Sequence, residues 1–151
     1  VWTVISVSLI ERTALIAQPV ARVFDLVNEV EAYPGLFPWC RSARIDHRTD
    51  GLMRARLDLS YLGFRAAFST ENTFVPSESI QLNLVEGPFR SLRGEWRFLA
   101  LGDAGCKASL RLDFEFAGSL VGSALALGFQ SLADRLVDDF SKAARSLPRA
   151  A

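Results

Sequence analysis

The chain has 151 residues, enough for one domain that buries about 68–70% of the surface of its unfolded form. Its 17 basic and 17 acidic residues give a formal net charge of zero, which argues against DNA as a partner, because non-specific nucleic-acid binding needs a surplus of positive charge. The two cysteines, Cys40 and Cys106, form no C-x-x-C pair, so no zinc site, iron–sulfur cluster or disulfide framework is indicated, and a reducing cytoplasm is favoured.

The chain begins with an apolar segment, VWTVISVSLI, that lacks the basic start and the small-residue cleavage site of a signal peptide. No apolar run reaches the ~20 residues that a transmembrane helix needs. The pattern from Ser6 to Leu15 predicts a strand, and we expect residues 1–8 to be partly non-native. Two short helices should follow: QPVARVFDLV, with Pro19 suited to a first turn, and NEVEAYPGLF, which should end at or before Pro34.

Five later segments alternate apolar and polar residues, as strands with one buried face do: 54–61, 64–74, 80–84, 92–100 and 106–116. Turn pairs such as Asp50-Gly51 and Gly102-Asp103 separate these segments. Strict alternation predicts an antiparallel sheet with one face in water and one face covered. We therefore expect an α+β fold with a curved sheet of six or seven strands.

The C-terminal segment is predicted to cover that sheet as one helix of about 25 residues, starting near Ser119 and ending before Pro148. Its apolar stripe is Val121, Leu125, Phe129, Leu132, Leu136 and Phe140. Asp138 and Lys142 have the spacing of an i,i+4 ion pair, and 146–151 should be a frayed tail. The small, apolar first part, SLVGSALALG, leaves two interpretations open: close packing on the sheet, or a cavity beneath the helix.

The sequence contains no catalytic constellation. His47, the only histidine, lies beside a predicted turn, and Cys40 lacks a neighbouring base. The acidic residues of the strands fall on the outer face. We therefore expect a binding protein rather than an enzyme, with no metal and no cofactor.

The inward face of the sheet is instead rich in aromatic residues, which predicts an apolar cavity for a hydrophobic small molecule. The predicted lining is Phe64, Phe68, Thr70, Asn72, Phe74, Trp96, Phe98, Phe114, Phe116, Leu125, Phe129 and Leu132. Thr70 and Asn72 are expected to meet the polar end of the ligand, because a buried amide needs a hydrogen-bond partner.

Three stretches carry a resemblance to a known family: ERTALIAQPVARVFDLVNEVEAYPGLFPWCRSARI at 11–45, VEGPFRSLRGEWRF at 85–98, and LRLDFEFAGSLVGSALALGFQSLADRLVDDF at 110–140. They resemble the coenzyme Q-binding protein family, whose bacterial members are also named ribosome association toxin. That family lies in the START-like, polyketide cyclase-type superfamily. The resemblance implies the helix-grip fold, a curved sheet wrapped around a long C-terminal helix, as a single lipid-binding domain over 1–151.

The resemblance further implies an internal tunnel for ubiquinone or a related polyprenyl lipid, held as a ligand rather than a cofactor, by a carrier that supports respiration. Such a carrier would be cytoplasmic and in peripheral contact with the inner membrane. The predicted mouth of the tunnel is Tyr33, Pro34, Phe37, Trp39, Phe89, Leu92 and Leu120.

The alternative that the resemblance implies is a regulator or toxin that binds the large ribosomal subunit and blocks subunit association. That activity would use a basic surface patch. Its candidate residues are Arg41, Arg44, Arg48, Arg54, Arg56 and Arg65.

Overall fold

Seven antiparallel strands form one sheet in the computed structural model, which describes residues 7–120 and 123–148. The strands are β1 (Val7–Ile16), β2 (Cys40–Thr49), β3 (Leu52–Tyr61), β4 (Phe64–Val75), β5 (Ser79–Glu86), β6 (Phe89–Ala100) and β7 (Cys106–Phe116). The helices are α1 (Val20–Asn28), α2 (Tyr33–Leu36) and α3 (Ala124–Arg145). The predicted α+β helix-grip architecture, with two short helices after the first strand, is confirmed.

The strand order is β1-β7-β6-β5-β4-β3-β2, so the first two strands of the chain lie at opposite edges of the sheet. Their connection must therefore cross the end of the sheet, and α1, a 3₁₀ turn at Val30–Ala32 and α2 fill that crossing. Every other connection between strands joins neighbours in the sheet. The crossing brings α1 and α2 over the same concave face that α3 covers.

The second short helix differs from its prediction. We expected it to end at or before Pro34, but α2 runs from Tyr33 to Leu36 with Pro34 in its first turn. Proline is tolerated there, because the amide hydrogen that it lacks has no partner within the helix in the first turn.

The long helix is shorter than predicted, with 22 residues. Ser123, not Ser119, is its N-cap, and Ser123 Oγ accepts a hydrogen bond from the Ala126 amide at 3.2 Å. Ser119 lies in a preceding 3₁₀ turn, and Val121 falls outside the described residues.

Two elements near the C-terminus differ from their predictions. The predicted pair of Asp138 and Lys142 is not formed; the i,i+4 pair on α3 joins Arg135 and Asp139 at 3.3 Å. Of the tail predicted at 146–151, residues 149–151 lie outside the described residues, while Gln18 donates to the Leu147 carbonyl at 3.3 Å and Arg22 donates to the Pro148 carbonyl.

Candidate functional site

An apolar cavity of about 110 Å³ lies between the concave face of the sheet and α3. Strands β3 to β7 and the end of α1 form its walls, while Phe129, Leu132, Ala133, Leu136 and Phe140 of α3 cover it. The cavity therefore lies mainly under the amphipathic part of the helix. The sequence had left open a cavity beneath the small-residue part.

Three short side chains create the space. Ala55 and Thr70 face each other on adjacent strands, and Ala133 lies on the helix above; all three border the cavity. In contrast, the small-residue part of α3 is closely packed. A Cβ atom built on Gly128 would overlap the Phe64 ring, with Cγ at 3.0 Å. Close helix–sheet packing is thus the correct interpretation at Gly128.

Few polar groups border the cavity. Thr70 Oγ1 donates to Asn72 Oδ1 at 2.8 Å, so these two side chains partly satisfy each other. Asn28, at the end of α1, also lies on the wall, and its Oδ1 has no partner among the described residues. Tyr33 is buried and donates its hydroxyl to the Val27 carbonyl. Desolvation raises the pKa of Tyr33, so the phenol is neutral across the physiological range.

Half of the predicted lining residues border this cavity, and their ligand-binding role stays a prediction. The residues at the wall are Phe68, Thr70, Asn72, Trp96, Phe129 and Leu132. The others pack elsewhere in the hydrophobic core or at its margin. They are Phe64, Phe74, Phe98, Phe114, Phe116 and Leu125.

The predicted mouth residues do not gather at one opening. Phe37 packs on Phe140 at a ring distance of 4.7 Å, whereas Phe89 packs on Phe129 at 4.8 Å. Phe129 and Phe140 are eleven helical residues apart, which is roughly 16 Å. Tyr33, Trp39 and Leu92 border the cavity from inside, Pro34 is exposed, and Leu120 is half-buried in the turn before α3.

Trp39 separates the cavity from a surface groove of about 540 Å³, because its side chain borders both. The indole Nε1 donates to Asp139 Oδ2 at 3.0 Å. Arg135 holds the same carboxylate and also donates to the Tyr61 hydroxyl at 3.0 Å. Trp39 is only 4% exposed, so the expectation that it forms an open apolar rim is corrected: it is a buried wall.

The amino-acid sequence shows which protein family the chain belongs to. A family model described as polyketide cyclase / dehydrase and lipid transport matches residues 16–141. The chain belongs to this family. Its START-like character and its predicted resemblance to coenzyme Q-binding proteins and ribosome association toxins are confirmed.

Within this polyketide cyclase / dehydrase and lipid transport family, three relatives are informative. The ribosome association toxin RatA of Pseudomonas aeruginosa is 41% identical over 138 residues, which cover 91% of this chain and 96% of the relative. RatA of Escherichia coli is 38% identical, covering 91% and 87%. A mitochondrial coenzyme Q-binding protein homolog B from Xenopus laevis is 24% identical over 130 residues, covering 83% and 53%.

A solved structure of the same fold is the Zhui aromatase/cyclase from Streptomyces sp. R1128. It superposes with a TM-score of 0.79 at 20% identity and covers 93% of this chain and 92% of its own. At that identity the likeness extends to the fold alone. None of the helices within 7–120 and 123–148 is long and apolar enough to cross a membrane.

Cys40 and His47, the side chains considered as a nucleophile and a base, lie near opposite ends of β2. Cys40 is buried at the start of β2, and burial raises its pKa from 9.0 to about 11. A thiol with a raised pKa is a poor nucleophile. His47 is exposed near the far end of the same strand. No group of three potential metal-ligating side chains occurs in the part of the chain that the structure describes.

The predicted basic patch is largely neutralised by neighbouring acids. Arg44 pairs with Asp46 at 2.5 Å, Arg54 with Glu71 at 2.9 Å, Arg56 with Glu86 at 2.8 Å, and Arg65 with Asp58 at 3.2 Å. Within the described ranges, Arg41 and Arg48 have no ion-pair partner. Both are exposed on β2, which is an open edge of the sheet.

Sequence reasoning missed several wall residues, among them Val27, Asn28 and Val30 from the crossing connection. Leu110 and Leu112 could have been found, because they alternate on the same face as Phe114. Asn28 carried no such signal. A polar residue at the end of a short helix is most often solvated or capping, and only the packing of α1 over the sheet buries it.

Proposed function

We propose that this protein is a ribosome-associated regulator that acts by binding rather than by catalysis. The observation that carries the proposal is its 41% identity to a ribosome association toxin along nearly the full length of both chains. The quinone-carrier interpretation, which the sequence placed first, takes second place, because the relative named for coenzyme Q is only 24% identical.

The exposed edge of β2 is the best-suited contact surface in the described part of the chain. A ribosome presents RNA phosphates, and arginines bind phosphate in a bidentate manner when no protein acid already holds them. Arg41 and Arg48 meet this condition, whereas the other four arginines of the predicted patch would first have to exchange a protein partner. Because the contact needs only two unpaired arginines, it requires no surplus of positive charge over the whole chain, whose formal net charge is zero.

Co-sedimentation with ribosomal subunits tests this proposal. The variant Arg41→Glu with Arg48→Glu should lose at least tenfold in affinity at low salt and show a shallower salt dependence, because two phosphate contacts are removed. The matched control, Arg93→Glu with Lys107→Glu, makes the same charge change at exposed sites on β6 and β7. Equal loss in both variants would contradict a contact at β2, and no sedimentation of the wild type would contradict the proposed function.

The cavity supports a second function, the binding of a hydrophobic ligand. Its walls are almost entirely apolar, and the family description includes lipid transport. A volume of about 110 Å³ is below the ~300–1,000 Å³ of sites for drug-sized ligands. A quinone ring could occupy it, while a polyprenyl tail would have to continue into the groove beyond Trp39.

Native mass spectrometry of protein purified from cells tests this second function. A co-purifying small molecule, identified after organic extraction, supports it; a polyprenyl quinone would support the carrier interpretation in full. A mass equal to that of the bare chain, before and after addition of lipid extract, would contradict it. Membrane contact stays a prediction that vesicle flotation can test.

A further inference from the structure

The surface groove outside Trp39 is a second concave site, which the indole separates from the internal cavity. It measures about 540 Å³ and lies between α2, the turn from β3 to β4, and the second half of α3. Sites for drug-sized ligands measure ~300–1,000 Å³, so the groove has room for one small molecule. Its apolar lining consists of Leu36, Phe37, Pro38, Trp39, Leu62 and Ala143.

Leu62, at the rim of this groove, occupies a backbone conformation that does not suit it. Its φ is +49°, in the left-handed region, within the two-residue turn that it forms with Gly63 between β3 and β4. Such hairpin turns favour Asn-Gly, because a bulky side chain at positive φ is strained. The Leu62 side chain is 70% exposed, so burial in the core does not offset this strain. A contact with a bound molecule explains why an apolar side chain stands there.

The groove also has a cation without a partner. Arg135 and Asp139 are engaged, because the guanidinium holds the carboxylate and donates to the Tyr61 hydroxyl at 3.0 Å. Lys142 borders the groove, is exposed, and makes no ion pair within the described ranges, not even with Asp138 one turn before it. The Tyr61 hydroxyl accepts from Arg135 and keeps its own hydrogen to donate. A ligand with one negative charge complements this wall.

We propose that the groove binds an amphiphile with one hydrocarbon chain and an anionic head, such as a free fatty acid. The chain lies against Leu36, Phe37 and Leu62, and the head pairs with Lys142. The capacity of the groove suits one chain rather than the two of a membrane phospholipid. The inference goes beyond both proposed functions, because it requires neither ribosomal RNA nor the internal cavity.

Calorimetric titration with decanoate, decanol and decylamine, each below the concentration at which it forms micelles, tests the charge of the ligand. Decanoate should bind about three- to fivefold more tightly than decanol at low salt, the ratio expected for one exposed ion pair. This advantage should shrink as salt screens the pair. Decylamine, which is a cation at neutral pH, should bind more weakly than decanol. If decanol or decylamine matches decanoate, the inference is overturned.

Two variants of α3 test whether Lys142 holds the head. Lys142→Gln should lower the affinity for decanoate to that for decanol and leave the affinity for decanol unchanged. Arg145→Gln removes the same charge further along α3, outside the groove, and should retain the preference for decanoate. A preference that survives Lys142→Gln, or an equal loss in both variants, would contradict the assignment.

Leu62→Asn tests where the chain binds. Because asparagine suits the left-handed turn, the variant should unfold at the same or a higher temperature than the wild type, yet bind decanoate and decanol several-fold more weakly. Leu101→Asn replaces another exposed leucine, in the loop after β6, and should bind both probes as the wild type does. Unchanged binding in Leu62→Asn would place the probes elsewhere, such as in the internal cavity, and would sink the inference.

Failure of this inference is distinguishable from failure of the proposed functions. If decanoate does not bind, the groove is not the proposed site, while the results of ribosome co-sedimentation and native mass spectrometry are unaffected. Flotation with vesicles of phosphatidylglycerol separates a free amphiphile from a membrane surface. A protein that floats with these vesicles but does not bind decanoate in solution uses the groove against a membrane, and the inference is then wrong.

Discussion

Trp39 joins the crossing connection to α3 through both its ring and its nitrogen. The ring lies against Phe140 of α3 with centroids 6.5 Å apart, and Nε1 donates to Asp139 Oδ2 at 3.0 Å. Trp96, on β6, has the same exposure of 4% and borders the same cavity. At the scale of single residues, the two tryptophans are therefore equally buried, although one belongs to a connection and the other to a strand.

Truncating either tryptophan should consequently cost a similar amount. We expect Trp39→Ala and Trp96→Ala each to lower the free energy of unfolding by about 3–5 kcal/mol, because each leaves a large void in the core. Denaturant unfolding of the two variants measures this. A Trp39→Ala protein nearly as stable as the wild type would place the indole outside the core.

At the scale of elements, α3 meets the sheet in two ways. Near its start, Gly128 lets the helix backbone approach Phe64 on β4; further along, larger side chains hold it off and enclose the cavity. Gly128 is unfavourable by helix propensity alone, by about 1 kcal/mol relative to alanine.

Gly128→Ala should therefore destabilise the protein although it improves helix propensity. The added methyl group has to displace the Phe64 ring or α3 itself, and overpacking of this kind costs about 1–3 kcal/mol. Gly35→Ala in α2 is the control, because a Cβ there meets nothing within 4 Å, and we expect its stability to be unchanged or slightly higher. Equal effects of the two substitutions in urea unfolding would contradict close packing at Gly128.

For the molecule as a whole, two buried thiols and one buried phenol make the free energy of unfolding depend on pH in the alkaline range. Burial raises the pKa of Cys40 from 9.0 to about 11, and it also raises the pKa values of Cys106 and Tyr33. Because these groups ionise more easily when the chain is unfolded, the unfolded state releases protons first as the pH rises. Their contribution to stability is complete below about pH 9 and is lost as the pH rises towards the folded-state values.

The free energy of unfolding, measured in a reducing agent, should thus be level from pH 7 to 9 and fall by pH 11. Cys40 alone accounts for a loss on the order of 2 kcal/mol, since one pKa unit corresponds to about 1.4 kcal/mol. Cys40→Ala should show a shallower decline. A profile that is flat up to pH 11, or a decline of unchanged slope in Cys40→Ala, would contradict this linkage.

The sequence by itself determined the sheet, the long helix that covers it and the family. Alternation along Cys106–Phe116 predicts a strand, because neighbouring strand residues face opposite sides. The spacing of Phe129, Leu132 and Phe140 predicts a helix, because residues three or four apart share one helical face. Such periodic patterns are local, so they can be read without knowing what the elements pack against.

Only the tertiary structure decided where the cavity lies and which side chains are free to bind a partner. The cavity depends on Ala55, Thr70 and Ala133 meeting across three elements, and the pairing of Arg54 with Glu71 depends on strand register. Likewise, the burial of Trp39 and the isolation of Asn28 arise because the connection from β1 to β2 crosses the whole sheet. These properties come from contacts between residues distant in the chain, for which a linear pattern carries no signal.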